Sequence, residues 1–225
     1  MKVFVLSGAG VSAESGLKTF RDEDGLWEGH DVMKVATPEG FKQNPELVLE
    51  FYNQRRRQLK TVQPNDAHRI IADLESDFDV DIVTQNVDDL HERAGSSNVL
   101  HLHGELFKVR PVNEPNNILD WRDDLILGDV DDNGNQLRPH VVWFGESVPA
   151  MTEAIEIVEQ ADILIIVGTS LQVYPAAGLK NYVRTNMPVY LVDPDPGIGE
   201  SRNLHIFAEK ASTGMQKIKN ILLNS

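Results

Sequence analysis

Six short apolar runs constrain this chain more than any other feature: Val3–Leu6, Val80–Thr84, Val99–Leu102, Leu106–Val109, Ile163–Val167 and Val189–Val192. Most are continuous rather than alternating. A strand that is apolar on both faces must be covered on both, as in a parallel sheet with helices above and below. Helical patterns fall between the runs, at Pro45–Lys60 with proline in the first turn, then at Asp66–Leu74, Val87–Ala94, Thr152–Gln160, Pro175–Arg184 and Gln216–Leu223. The alternation predicts an α/β fold with a doubly wound, mostly parallel, Rossmann-like sheet. Residues 28–75, which are helical, and 110–140, which are polar and turn-rich, interrupt it. They read as two insertions forming a smaller lobe, leaving residues 1–27, 76–109 and 141–225 to the larger one. Together the 225 residues make one domain.

Directly after the first run comes SGAGVSAESG, residues 7–16. Three glycines and several small residues pack poorly, so their use is to let something large approach the backbone. Gly8-x-Gly10-x-x-Ala13 after a strand and before a helix is the setting of a dinucleotide loop. There, glycine removes the Cβ that would block a pyrophosphate, and a helix N-terminus offers free N–H groups. The same pattern also occurs as a plain strand-to-helix turn. An acidic residue about 20 positions on, at the end of a second strand, is missing. Glu28 stands near that spacing but reads as loop, and the better ribose acid is Asp193, closing the run Val189–Val192.

Other strand ends carry suitable chemistry. Thr84-Gln85-Asn86-Val87-Asp88 closes one run and Gly168-Thr169-Ser170 another. Ligands of open α/β sheets bind at the carboxyl ends of the strands, so these residues point to one crevice. His103 also follows a strand, and histidine is the general base best matched to neutral pH.

Composition narrows the partners. With 35 acidic against 21 basic residues the formal charge is −14. A nucleic-acid ligand is disfavoured, since a phosphate backbone wants a basic surface, whereas lysine-rich protein segments are compatible. No run approaches the roughly 18 apolar residues of a membrane span, and the N-terminus lacks a signal-peptide pattern. The chain is therefore expected in the cytoplasm, with no membrane partner. It contains no cysteine, which excludes disulfides, thiolate zinc sites and cysteine nucleophiles.

The motifs GAGVSAESGLKTFR (8–21), TQNVDDLHERAG (84–95), HLHGEL (101–106), VVWFGE (141–146), GTS (168–170) and LVDPDP (191–196) resemble, in this order, those of the sirtuins, NAD-dependent protein-lysine deacylases. The resemblance spans nearly the whole chain. It implies that NAD is held by Gly8, Ala9, Gly10, Ser12, Ala13, Glu14, Thr19, Phe20, Arg21 and Trp27, by Gln85, Asn86, Asp88 and His103, and by Gly168, Thr169, Ser170, Asp193, Pro194 and Asp195. Gln85, Asn86 and Asp88 match the nicotinamide pocket and His103 the catalytic base. Acyl-lysine would enter between the lobes and pair with Val141, Val142, Trp143, Phe144 and Gly145 as an added strand. Its acyl oxygen would attack C1′ of the nicotinamide ribose, and His103 would then deprotonate a ribose hydroxyl. Asn86 and Asp88 would stabilise the cationic sugar. The products would be lysine, nicotinamide and O-acyl-ADP-ribose. Alternatives are a non-catalytic NAD or ADP-ribose sensor, which needs no base, and an ADP-ribosyltransferase on the same fold.

Tyr52 and Arg55 are three apart in a helical pattern and share a face, where a phenol and a guanidinium form a fork for a carboxylate. Arg55-Arg56-Arg57 also reads as a solvated helix face. In the sirtuin branch that removes acidic acyl groups, Ala, Tyr and Arg occur in this order, matched by Ala36, Tyr52 and Arg55, which implies succinyl or malonyl removal beside acetyl.

Two departures stand out. Sirtuins usually carry four zinc-binding cysteines, and the corresponding stretch Arg110–Pro139 has none, so no zinc is expected. Trp121 packing and a hairpin at Asp132-Asn133-Gly134 are expected to order the lobe instead. Asp129-x-Asp131-x-Asn133-Gly134 copies half a calcium loop, but its twelfth position is His140, so it reads as a turn. Asp193 replaces the common Asn, and either can bond ribose hydroxyls.

Overall fold

The computed structural model describes residues 1–18, 26–27, 29–197, 199 and 202–224. In chain order the strands are β1 (Lys2–Ser7), β2 (Leu26–Trp27), β3 (His30–Asp31), β4 (Asp79–Thr84), β5 (Val99–His101), β6 (Gly104–Pro111), β7 (Leu119–Asp120), β8 (Leu137–Val141), β9 (Ile163–Val167), β10 (Val189–Val192) and β11 (Leu204–Phe207). The helices are α1 (Val32–Val35), α2 (Pro38–Gln43), α3 (Pro45–Leu59), α4 (Asp66–Asp73), α5 (Leu90–Ala94), α6 (Met151–Gln160) and α7 (Ala211–Leu223).

The continuous apolar runs divide by parity between two cores. Val3, Val5, Ile82 and Ile165 pack with Ile71 of α4 and Met215 of α7, whereas Phe4, Leu6, Leu164 and Ile166 pack with Ala154 and Val158 of α6. The resulting sheet has the order β11-β10-β9-β1-β4-β5, and every neighbouring pair is parallel. From β1 the chain proceeds to β4 and β5 on one side, then to β9, β10 and β11 on the other. The order thus reverses between β1 and β9, the position at whose carboxyl ends open α/β sheets bind ligands.

Three expectations need correction. Leu106–Val109 lies in β6, which pairs antiparallel with β7 and β8 in a separate sheet. The chain leaves the parallel sheet at Gly104, where φ is +81° and a Cβ would stand 2.1 Å from the His140 carbonyl oxygen. The small lobe therefore takes residues that had been assigned to the large one. Conversely, α4 had been placed in the insertion, yet its Ala67, Ile70 and Ile71 are buried against the parallel sheet. Asn65 opens that helix as its N-cap. Finally, Pro175–Arg184 forms only a 3-10 turn, at Ala176–Asn181.

The edge strand β11 was not anticipated, because it is half exposed and carries the polar His205 in its centre. Gln216–Leu223 is the end of α7, which starts at Ala211, and the segment Val87–Ala94 turns helical only at Leu90.

Candidate active site

At the reversal point, Gly8 N–H donates to the Val167 carbonyl at 3.0 Å and Gly10 N–H to the Gly168 carbonyl at 2.8 Å. A Cβ on Gly10 would stand 2.7 Å from Gly168 Cα, and one on Gly168, where φ is +64°, only 2.1 Å from the Val11 nitrogen. The glycines thus let two backbones cross, with Gly168 left-handed by necessity. This corrects the sequence reading: the large thing approaching the loop is first another strand end. Ala9–Ser15 is a 3-10 turn rather than an α-helix, and Gly10's N–H is already engaged.

What the loop contributes instead is Ser12. Its buried hydroxyl donates to Asp88 Oδ2 at 2.9 Å and accepts from Asn86 Nδ2 at 3.2 Å. His68 Nε2 lies 3.4 Å from the same oxygen, while His68 Nδ1 accepts the Asn65 N–H at 3.3 Å. That acceptance leaves the imidazole proton on Nε2, directed at Ser12. Leu90 N–H donates to Asp88 Oδ1 at 3.1 Å. Burial nevertheless pushes Asp88 up to about 6, against the help of Leu90 and Ser12, and pushes His68 down to about 4, so that ring stays neutral. Neither His68 nor its role was legible in the sequence.

His103 is half-buried and lies against Gln85, the residue before Asn86. Its Nδ1 is 3.0 Å from the Gln85 carbonyl, which can only accept, so the proton is on Nδ1 and Nε2 keeps a lone pair. Burial lowers its pKa, with the Gln85 bond opposing. Neutral His103 is therefore a ready base. Its neighbour His101 behaves oppositely. Burial alone would lower it, but Glu92, 2.7 Å from Nε2, and the Asn86 carbonyl, 2.9 Å from Nδ1, raise it overall. His101 thereby holds Asn86 in place, a role the sequence did not reveal.

Gln85 Nε2 donates to Thr169 Oγ1 at 3.1 Å, joining two strand ends. Asp193 is buried and closes β10 by accepting the Asp195 N–H at 2.9 Å, with Pro194 in the bend between them. Glu14 does not belong to this cluster: its carboxylate accepts the Ser212 N–H and hydroxyl at the start of α7. Ala9 and Ser170 are half-buried on the crevice loops, and Ala13 is exposed. Thr19, Phe20 and Arg21 lie outside the described residues, as does the side chain of Trp27.

A profile of the Sir2 family matches residues 8–175. The chain belongs to the Sir2 family. It is 59% identical over 202 residues to an NAD-dependent protein deacylase of Helicobacter pylori, covering 90% of this chain and 86% of the relative. Among solved structures, a Sir2 homologue–NAD complex superposes with a TM-score of 0.86 at 38% identity, covering 99% of this chain and 90% of the other. A Sir2–p53 peptide–NAD+ complex superposes with a TM-score of 0.79 at 28% identity, covering 99% and 94%.

In this Sir2-family chain Ala36, Tyr52 and Arg55 lie in the second lobe. Tyr52 is fully buried on α3, and Ala36 packs in the same apolar cluster. Arg55 is half-buried, its guanidinium 4.2 Å over the Phe51 ring and its Nη1 3.0 Å from the Phe51 carbonyl. The three consecutive arginines point three ways. Arg56 is buried, bonding the Leu106 carbonyl and Asn53, whereas exposed Arg57 pairs with Asp124 and Glu50. The solvated-face reading fits Arg57 alone.

Val141–Gly145 is strand only at Val141. Val142 N–H donates to the His103 carbonyl and Phe144 N–H to Ala36. The Trp143 N–H goes to Glu146 at 2.8 Å. Three amides are thus already engaged, which ties this segment to both His103 and Ala36.

The second lobe is held by ion pairs, hydrogen bonds and packing. Arg138 donates to Glu146 at 2.7 Å, and Arg110 approaches the same carboxylate at 3.4 Å. Burial works against Glu146, but these arginines and the Trp143 amide hold it below the ordinary carboxylate range. Asn53 exchanges two hydrogen bonds with Leu125, and Trp121 packs against the cluster of Leu49, Val109, Leu125 and Leu137. Asp131 accepts the Asn133 and Asn135 amides, making the half calcium loop a tight turn with Gly134 at φ +82°. Among the described residues no three histidine, aspartate or glutamate side chains form a metal-ligating group.

Proposed function

We propose that this chain removes acyl groups from protein lysine side chains at the expense of NAD, and that its substrates include succinyl- and malonyl-lysine beside acetyl-lysine. The observation that carries the catalytic reading is His103. Its Nδ1–H is spent on the Gln85 carbonyl and its Nε2 is left basic, beside the strand end that also carries Asn86 and Asp88. The family membership and the NAD-bound relative support the cofactor.

The crevice also suits a dinucleotide on its own terms. Two loops of small residues, 8–16 and 168–170, meet there, with amide donors at Gln85 and Asn86 and buried carboxylates at Asp88 and Asp193. NAD supplies the electrophilic ribose carbon and accepts the acyl group. The protein's part is then to orient and to move a proton. Asp88, kept ionised by Ser12 and Leu90, provides negative charge where positive charge develops, and His103 Nε2 withdraws a proton from a ribose hydroxyl. The carboxylate of an acidic acyl group would meet Tyr52 and Arg55.

Mass spectrometry of the products from acetyl- and succinyl-lysine peptides with NAD tests the proposal. Free lysine peptide with one nicotinamide and one O-acyl-ADP-ribose per turnover is expected from both. ADP-ribosylated peptide, or bound NAD without turnover, would replace it with a transferase or a sensor.

A further inference from the structure

His101 Nδ1 stands 2.9 Å from the Asn86 carbonyl and Nε2 2.7 Å from Glu92 Oε1, in a side chain only 7% exposed. A carbonyl oxygen and a carboxylate oxygen can only accept, so both ring nitrogens must donate, and a ring with two N–H groups is an imidazolium. We infer that Glu92 and His101 are positioning residues for the cleavage of NAD: Glu92 keeps His101 doubly protonated, and the imidazolium clamps the Asn86 carbonyl. This inference rests on the deacylase reading above.

The clamp completes the hold on Asn86. The Asn86 N–H donates to Thr84 Oγ1 at 3.1 Å, its side chain donates to Ser12 Oγ at 3.2 Å, and His101 donates to its carbonyl. Only the last bond carries a charge, and charge-assisted hydrogen bonds are stronger than neutral ones. Glu92 interacts with His101 from α5, Asp88 from the strand-end loop and Glu105 from β6. The cation Lys108 is paired with Glu105 at 2.7 Å, and burial keeps His91 neutral. Burial works to lower the His101 pKa, but Glu92, the Asn86 carbonyl and Glu105 raise it overall. Burial likewise works against the Glu92 carboxylate, and His101 holds it below the ordinary range. The positive ring also favours ionised Asp88. Since the folded pKa is raised, the clamp is complete below that value and loses one N–H as pH rises through it. It therefore acts on the alkaline side of activity, opposite to His103 and Asp88.

Two measurements test it. Proton–nitrogen NMR of the histidine rings across pH, assigned with a His101→Gln sample, should show His101 as an imidazolium with a titration midpoint above about 6.5. A midpoint at or below that value overturns the inference, whatever reaction the chain performs. Nicotinamide release with an acyl-lysine peptide is then followed across pH in wild type, Glu92→Gln, His101→Phe and the double variant. Glu92→Gln should lower kcat roughly three- to tenfold and shift the alkaline limb to lower pH, while the KM for NAD moves less than about twofold. In the His101→Phe background the same substitution should change neither. A merely structural role would lower Tm without moving the limb. An unmoved limb in Glu92→Gln, or the same loss in both backgrounds, overturns the inference and leaves the deacylase reading standing. If wild type releases no nicotinamide, that reading falls and the inference with it. Should His101→Phe melt too low to assay, His101→Gln replaces it as the background, since its amide still donates to one acceptor but does not titrate.

Discussion

At the scale of single residues, tautomer and charge are decided by one or two neighbouring atoms. A histidine in water near neutral pH is partly protonated, whereas His103 is desolvated and has one nitrogen spent on a carbonyl. In the proposed mechanism it is the charge-free form that works, and burial shifts the loss of that form to lower pH. Asp88 must be ionised, and its carboxylate is protonated as pH falls through about 6. Both signs agree. The acid limb of kcat/KM should therefore lie below about 6.5, the ordinary histidine value. A pH–rate profile that has already fallen well above that value would contradict this protonation scheme.

The same reasoning applies to Arg55. Removing a charge-assisted partner of a carboxylate costs about 1.5–3 kcal/mol, which at about 1.4 kcal/mol per decade is roughly ten- to a hundredfold. Arg55→Met should lower succinyl kcat/KM by that factor and move acetyl less than about threefold. Equal losses on both substrates in steady-state assays would make the α3 face structural.

At the scale of elements, the glycine crossing holds the crevice together. Gly168→Ala puts a Cβ into the Val11 nitrogen at a left-handed φ, so the fold should lose more than about 1 kcal/mol. For a chain of this size that is a fall in Tm of at least roughly 2–4 °C, read by calorimetry. An unchanged Tm would mean that the crossing is not tight. The second lobe yields a different expectation. Its order comes from Glu146 with two arginines, from Asn53 with Leu125, and from the Asp131 turn. Elemental analysis should find no stoichiometric zinc, and a chelator should leave Tm where it was. One zinc per chain would show histidines and carboxylates standing in for thiolates.

These elements were unevenly legible. The continuous runs at 3–6 and 163–167 announce a parallel sheet because burial on both faces leaves no room for polar residues. The run at 106–109 looks the same in sequence, yet it belongs to the other lobe. What decides its partner is the left-handed turn at Gly104, a long-range fit against His140 that no local pattern encodes.

At the scale of the whole molecule, the site is assembled from residues far apart in sequence. Ser12 follows β1, His68 lies on α4, Asn86 follows β4, and His101 and His103 stand at the end of β5, and only the doubly wound topology brings these elements together. Sequence motifs pointed to Asn86, Asp88 and His103, but could not reveal that His101 bonds the Asn86 carbonyl and His68 the Ser12 hydroxyl, because buried neutral and carboxylate-paired histidines look alike in a string. The acidic surface, with a net charge of −14, adds a long-range attraction for lysine-rich protein segments.

The central claim is that this assembled crevice seats NAD and that His103 acts on it afterwards. Binding and chemistry should then separate in one variant. His103→Ala, assayed for deacylation beside calorimetric titration with NAD, should lose turnover while binding NAD with nearly the wild-type Kd. Full deacylation in that variant would remove His103 from the mechanism and contradict the account.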